Sequence, residues 1–105
     1  MAMFRALSGS GGGGSASIKT VTIDKTIKNG TVDVTGLSKI LAVFASMTTN
    51  MNEVYGGGID NNGTWQKISY AGGTNGVTAV ASDGSSFTWT DTDNRSLRYM
   101  VLGIE

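Results

Sequence analysis

The feature that most constrains this chain is a two-residue alternation that begins at Ile18 and recurs to its end. In "IKTVTIDKTI", Val21, Ile23 and Ile27 stand on alternate positions with Thr and Lys between them. That spacing buries one face of a β-strand and leaves the other in water. "NG" at Asn29 and Gly30 follows. Both residues tolerate positive φ, which predicts a hairpin or tight turn. "TVDVTG" then resumes the alternation through Val32 and Val34 and stops at Gly36. "KILAVFASM" is more continuously apolar and predicts a central strand covered on both faces. A helix is the competing reading, since Ala, Leu and Met favour one. The short run, bounded by Gly36 and "TTN", favours the strand.

The second half reads as short strands: "NEVYGGG", "TWQKISYA", "VTAVAS", "SFTWT" and "SLRYMVLGIE". Between them lie "DNNG", "GGTNG", "DGS" and "DTDN", each with Gly or Asn where a backbone reverses. With no Pro in the chain, nothing forbids these segments from pairing. Short strands at this spacing predict an all-β fold, an antiparallel sandwich or barrel of about eight strands over residues 18–105.

The start of the chain is different. "MAMFRAL" is apolar, whereas residues 8 to 17 hold five Gly and four Ser. We divide it into an apolar anchor over 1–8 and a flexible Gly/Ser-rich spacer over 9–17. "GSGGGGS" at 9–15 also reads as an engineered linker. A free apolar tip is a solubility liability unless a partner buries it. Burying Phe4 and Leu7, which flank Arg5, contributes about 3–5 kcal/mol before the cost of ordering the arm. One such arm binds weakly, and several on one assembly bind through avidity.

Composition narrows the chemistry. There is no Cys and no His, which removes disulfides, thiolate nucleophiles, the commonest general base and the usual zinc ligands. Eight basic residues balance eight acidic ones, so no net field points to nucleic acid or an anionic membrane. The longest apolar run, "ILAVFA", is too short to span a bilayer, and no secretory signal opens the chain. "DTDN" at 91–94 and "DNNG" at 60–63 lack the closing Glu of a calcium loop and read as turns. Asp60, Asp83, Asp91 and Asp93 can act as paired carboxylates only if their turns cluster, and no signature requires it. The glycines at 56–58 and 72–76 lead into no phosphate-binding motif and read as turns or bulges. We therefore expect no catalytic, metal or cofactor site.

Aromatic side chains are the best candidates for outside contact, because flat rings beside Asn and Asp can stack on sugars. Phe87 and Trp89 share a strand face, so at least one packs inward. Trp65 and Tyr70 are an odd number of positions apart and fall on opposite faces. Tyr55, Trp65 and Tyr70 are the outward-facing, glycan-contact candidates.

From Thr31 to the end, about 75 residues, the order of segments resembles the small jelly-roll-like β-sandwich domains of bacteriophage tail fibres and virion appendages. "TVDVTGLSKILAVFAS" is similar to the family's opening, a Thr-Gly-Leu turn before a buried strand. "TWQKISYA" matches a middle strand, "SDGSSFTWT" the Asp-Gly and Phe-x-aromatic strand, and "LRYMVLGIE" the closing strand. The resemblance implies a structural virion protein, a homotrimer on the tail or tail fibre, with a capsid decoration or head fibre as the alternative. On this reading the protein is made in the host cytoplasm. Phe4, Arg5 and Leu7 face the particle, and Tyr55, Trp65 and Tyr70 face outward toward host-surface glycans. A stand-alone carbohydrate-binding module is the remaining reading.

Overall fold

The structure, a computed structural model, describes residues 17–48, 53–70 and 73–105. Its strands are β1 (Ile18–Asp33), β2 (Lys39–Met47), β3 (Tyr55–Ile59), β4 (Trp65–Ile68), β5 (Gly76–Val80) and β6 (Ser86–Ile104). All pairings are antiparallel and join one sheet in the order β1-β6-β2-β3-β4, with β5 also on β6. The described residues contain no α-helix. The all-β expectation holds, and the apolar stretch at Lys39–Met47 is a strand.

The strand count is six rather than eight, and the two lost boundaries lie opposite one another. "NG" at Asn29 and Gly30 does not reverse the chain; it lies inside β1. "DTDN" at 91–94 likewise lies inside β6. In the β1–β6 ladder Ile27 pairs with Arg95 and Asn29 with Thr90, so Lys28 alone stands opposite residues 91–94. The mismatch is an odd number of residues, so it shifts the alternation of one strand by one place. That is why Val21, Ile23 and Ile27 point inward on odd numbers while Val32 and Val34 are buried on even ones.

The bulge is a corner. Phe87 and Tyr99 are twelve positions apart, about 40 Å along a straight strand, yet their ring centroids are 5.1 Å apart. Trp89 and Tyr99 meet edge to face at 5.4 Å. The β1–β6 ribbon folds so that the inner faces of its halves pack on each other. Tyr55, Val77, Leu97 and Val101 complete this core, with Ile40 and Val43 of β2.

Two Asn-Gly pairs brace the corner from its two sides. The Asn29 carboxamide accepts the Asp91 N–H at 3.0 Å, and the Asn75 carboxamide accepts the Thr92 N–H at 3.2 Å. Gly30 and Gly76 have φ of 152° and 154°, where a side chain is strained. The pair at Asn62 and Gly63 does sit in a turn, closed by the Gly63 N–H on the Asp60 carbonyl at 3.0 Å.

The other end of the sheet closes through side chains. The Trp65 indole N–H donates to the Val77 carbonyl at 2.7 Å and Lys67 Nζ to the Thr74 carbonyl at 3.0 Å; the Ser69 hydroxyl donates to the Asn75 carbonyl. The glycines at 56–58, expected as a turn or bulge, instead lie in β3. A Cβ on Gly57 would stand 2.5 Å from the Trp65 ring, so the bare backbone lets the indole lie flat against the strand.

Because each Asn carboxamide answers a β6 N–H in a part-buried site, removing it takes away that donor's partner at the corner. Asn29→Ala and Asn75→Ala are each expected to destabilise the fold by about 0.5–1.5 kcal/mol. Asn62→Ala, on the exposed turn, should cost within about 0.5 kcal/mol. Urea midpoints of the three variants check this, and a cost at Asn62 equal to the other two contradicts it.

Candidate functional site

The outer face of the sheet carries an apolar row that the inner core does not explain. Reading across the ladders, Thr22 of β1 pairs with Met100, Met100 with Phe44, Phe44 with Gly56 and Gly56 with Ile68. Side chains at paired positions share a face. Met100 is 43% exposed, and Phe44 and Ile68 are each 51% exposed. Val54, 49% exposed, lies beside them just before β3. Between Phe44 and Ile68 the row meets Gly56, which has no side chain. Phe44, Val54 and Met100, with the buried Ala45 and Ser46 and the Arg98 side chain, line a shallow depression of about 210 Å³. Its walls are almost wholly apolar, which suits an apolar partner; scattered single exposed apolar residues would carry no such meaning.

A polar border runs along one side. Arg98 and Asp24 pair across β6 and β1 with two bonds, at 2.8 and 2.9 Å. Their pairing holds Asp24 below the usual carboxylate range, chiefly through the hydrogen bond from Arg98. The bidentate pairing ties the Arg98 side chain, which borders the depression, to Asp24.

A second cluster sits beneath the corner. The Asp91 side chain is buried and pairs through Oδ1 with Arg95 Nε at 3.3 Å, while accepting the Asp93 N–H at 2.9 Å. Arg95 also reaches Glu53 Oε1 at 3.5 Å and Asp93 Oδ2 at 3.6 Å, and its guanidinium lies 5.9 Å from the centre of the Tyr55 ring. Partial burial opposes its charge, and Tyr55, Asp91 and Glu53 outweigh that, so its pKa stands above the ordinary value. Tyr55 donates its hydroxyl to Glu53; burial and that bond raise its pKa. Burial, helped by the Asp91 charge, pushes the Tyr99 phenol well above the usual range. One arginine thus ties three carboxylates to the corner, an arrangement that holds structure in place.

Of the outward-facing candidates, Tyr55 is a correction. It is 4% exposed, because the alternation of β3 turns it into the core against Trp89, with ring centroids 5.9 Å apart. Trp65 is half-buried, its N–H spent on Val77, and it lines an open groove of about 470 Å³ with Lys39, Ile59, Val80 and Ser82. Tyr70 is exposed, edge to face with Tyr55 at 6.3 Å. Phe87 and Trp89 are both buried. Phe4, Arg5 and Leu7 lie outside the described residues.

Of the four Asp residues singled out in the sequence, Asp91 and Asp93 meet at Arg95, while Asp60 and Asp83 are held in their own turns. Asp60 Oδ1 accepts the Asn62 and Thr64 N–H groups, and its Oδ2 takes the Gln66 amide. Asp83 binds the Ser85 hydroxyl and N–H. Among the described residues, no three His, Cys, Asp or Glu side chains are placed to hold a metal ion.

Sequence reasoning missed the apolar row. "KILAVFASM" reads as covered on both faces, whereas Phe44 faces outward. Only the register that sets Met100 and Ile68 in line with Phe44 reveals the row. Compared with known protein families, curated sequences and solved structures, the chain has no match.

The titrating groups set a pH profile. Asp24, Asp60 and Asp83 are held below the usual carboxylate range, Asp60 mainly by the Thr64 N–H and Asp83 mainly by the Ser85 hydroxyl. They stay ionised in the fold when the unfolded chain takes up protons, so their contribution is present above that range and lost as pH falls through it. Tyr99 keeps its proton where the unfolded phenol ionises, so stability falls as pH rises beyond about 10. Urea midpoints against pH should show both declines. Tyr99→Phe should flatten the alkaline one, and an unchanged alkaline limb in that variant contradicts the assignment.

Proposed function

We propose that this chain is a structural virion protein of a bacteriophage, a tail or tail-fibre-associated appendage that works as a homotrimer and attaches through residues 1–8. The observation that supports self-assembly is the row of Met100, Phe44 and Ile68 with Val54 on the solvent face. A small domain without disulfides gains stability by burying such a surface on assembly. The order of segments that resembles jelly-roll-like appendage domains supports the virion setting, and a capsid decoration shares every one of these needs.

The solution mass of the full chain is the direct test. A trimer is expected, with Phe44→Thr combined with Met100→Thr shifting it to monomer while circular dichroism keeps its β signature. A monomer at every concentration overturns the self-assembly. Imaging of the particle with this protein located on its tail supports the placement, and density on the head selects the decoration instead.

The groove beside Trp65 favours a second role for the same module, contact with host-surface glycans. An indole edge with Lys39 and Ser82 at the rim offers a ring surface and hydrogen-bonding groups. Saturable binding to a defined sugar on a glycan array, lost in Ser82→Trp, is expected. Binding that survives blocking the groove rules out this site.

A further inference from the structure

We propose that the apolar row on one copy is covered by residues 3–7 of a neighbouring copy, so that the subunits are stitched by exchanged N-terminal arms. The inference rests on the proposed self-assembly, and it gives residues 3–7 to a neighbouring copy in place of the particle.

The shape of the row sets the size of its occupant. A depression of about 210 Å³ between Phe44, Val54 and Met100 is slightly larger than the roughly 150 Å³ that accommodates one benzene ring. At Gly56, between Phe44 and Ile68, there is no second recess: the residue is buried and a Cβ there would meet the Val43 carbonyl oxygen at 1.8 Å. A short extended segment that sets one aromatic side chain in the depression matches this surface. Outside the described residues, the large apolar side chains are Met1, Met3, Phe4, Leu7 and Met51, and Phe4 is the one aromatic among them.

The route points to a neighbour. The Glu105 N–H donates to the Ser17 carbonyl at 2.9 Å and the Ser17 hydroxyl to Glu105 Oε1 at 3.0 Å, so Ser17 is fixed beyond the last pair of the β1–β6 ladder, Ile18 with Ile104. The row crosses β1 at Thr22, about 13 Å back into the sheet. Reaching its own row requires the chain to turn back over the sheet end. Residues 8–16 span at most about 30 Å, enough for either route, so the choice lies in the direction of the chain: held against Glu105, Ser17 leaves the sheet end heading away from its own row and toward an adjacent subunit. Each contact is then heterologous, one arm on one face, and three copies close the ring. A single Phe and Leu bind weakly; three such contacts in a closed ring reinforce one another.

The chain has no Cys, so introduced thiols report without background. Ala6→Cys and Thr22→Cys mark the arm and the row without removing an apolar contact. Full-length single variants are mixed, treated with a short bis-maleimide and weighed alongside the untreated sample. The expected result is an Ala6→Cys to Thr22→Cys linked dimer from a sample of trimer mass, with no link when Lys28→Cys, on β1 at the corner, replaces Thr22→Cys. Phe4→Ser with Leu7→Ser should raise the concentration needed for trimer at least tenfold. Trimer mass without the link, or with an unchanged assembly concentration in the Phe4 and Leu7 variant, overturns the arm exchange and leaves the trimer standing. A link that forms only within one chain carrying both Ala6→Cys and Thr22→Cys overturns the exchange in favour of a self-covering arm. Monomer mass throughout overturns the exchange together with the assembly it rests on.

Discussion

The fold depends on one corner, where a single residue of β1 faces four of β6 and the longest ribbon of the molecule turns on itself. Without that turn Phe87 and Tyr99 would be far apart, and neither half of the ribbon would have a partner for its apolar face. Bending exposes backbone groups that a straight ladder would pair. The Asn29 and Asn75 carboxamides satisfy two consecutive N–H groups at the apex, one from within β1 and one from the residue just before β5. Beneath the apex, Asp91 is buried with Arg95 across it. Breaking such a pair is costly because it strands a charge in a dry site. The polar residues at this point therefore specify geometry, while the aromatic residues on either side supply the apolar burial.

The same corner accounts for the outer face. Once the inner faces of the two ribbon halves pack together, the core is saturated by Phe87, Trp89 and Tyr99, with Tyr55 behind them. The alternation of β2 and β6 then necessarily presents Phe44 and Met100 on the other side of the sheet, with no layer of this chain among the described residues to cover them. The sheet has one inside. A strand as apolar as β2 has side chains for two.

Much of this was legible in the residues, and the failures share a cause. Segments with clean alternation, such as Ile18–Ile27, emerge as strands because a two-residue period has few other solutions. Asn-Gly and Asp-rich stretches were read as chain reversals because they tolerate turn conformations. They tolerate bulges for the same reason, and a local sequence does not say which. The switch of the buried residues from odd to even numbers between Ile27 and Val32 was the available signal: a slip of one residue within a single strand. An aromatic ring near Asn and Asp reads as a sugar contact, and which face of β3 carries Tyr55 depends on the pairing of that strand, which no local sequence supplies. Of the glycines beside it, Gly57 lets the Trp65 indole lie against the strand.

By itself the sequence determined the secondary-structure class, the absence of thiol and imidazole chemistry, and an apolar run at 1–7 followed by a stretch of Gly and Ser. These follow from periodicity and composition, which are local properties. Only the tertiary structure decided which turn signals were corners, which aromatic residues were core, and that Phe44, Met100 and Ile68 stand in one exposed line. Those outcomes depend on register between strands distant in the chain. A shift of one residue would have sent the same side chains to the opposite face.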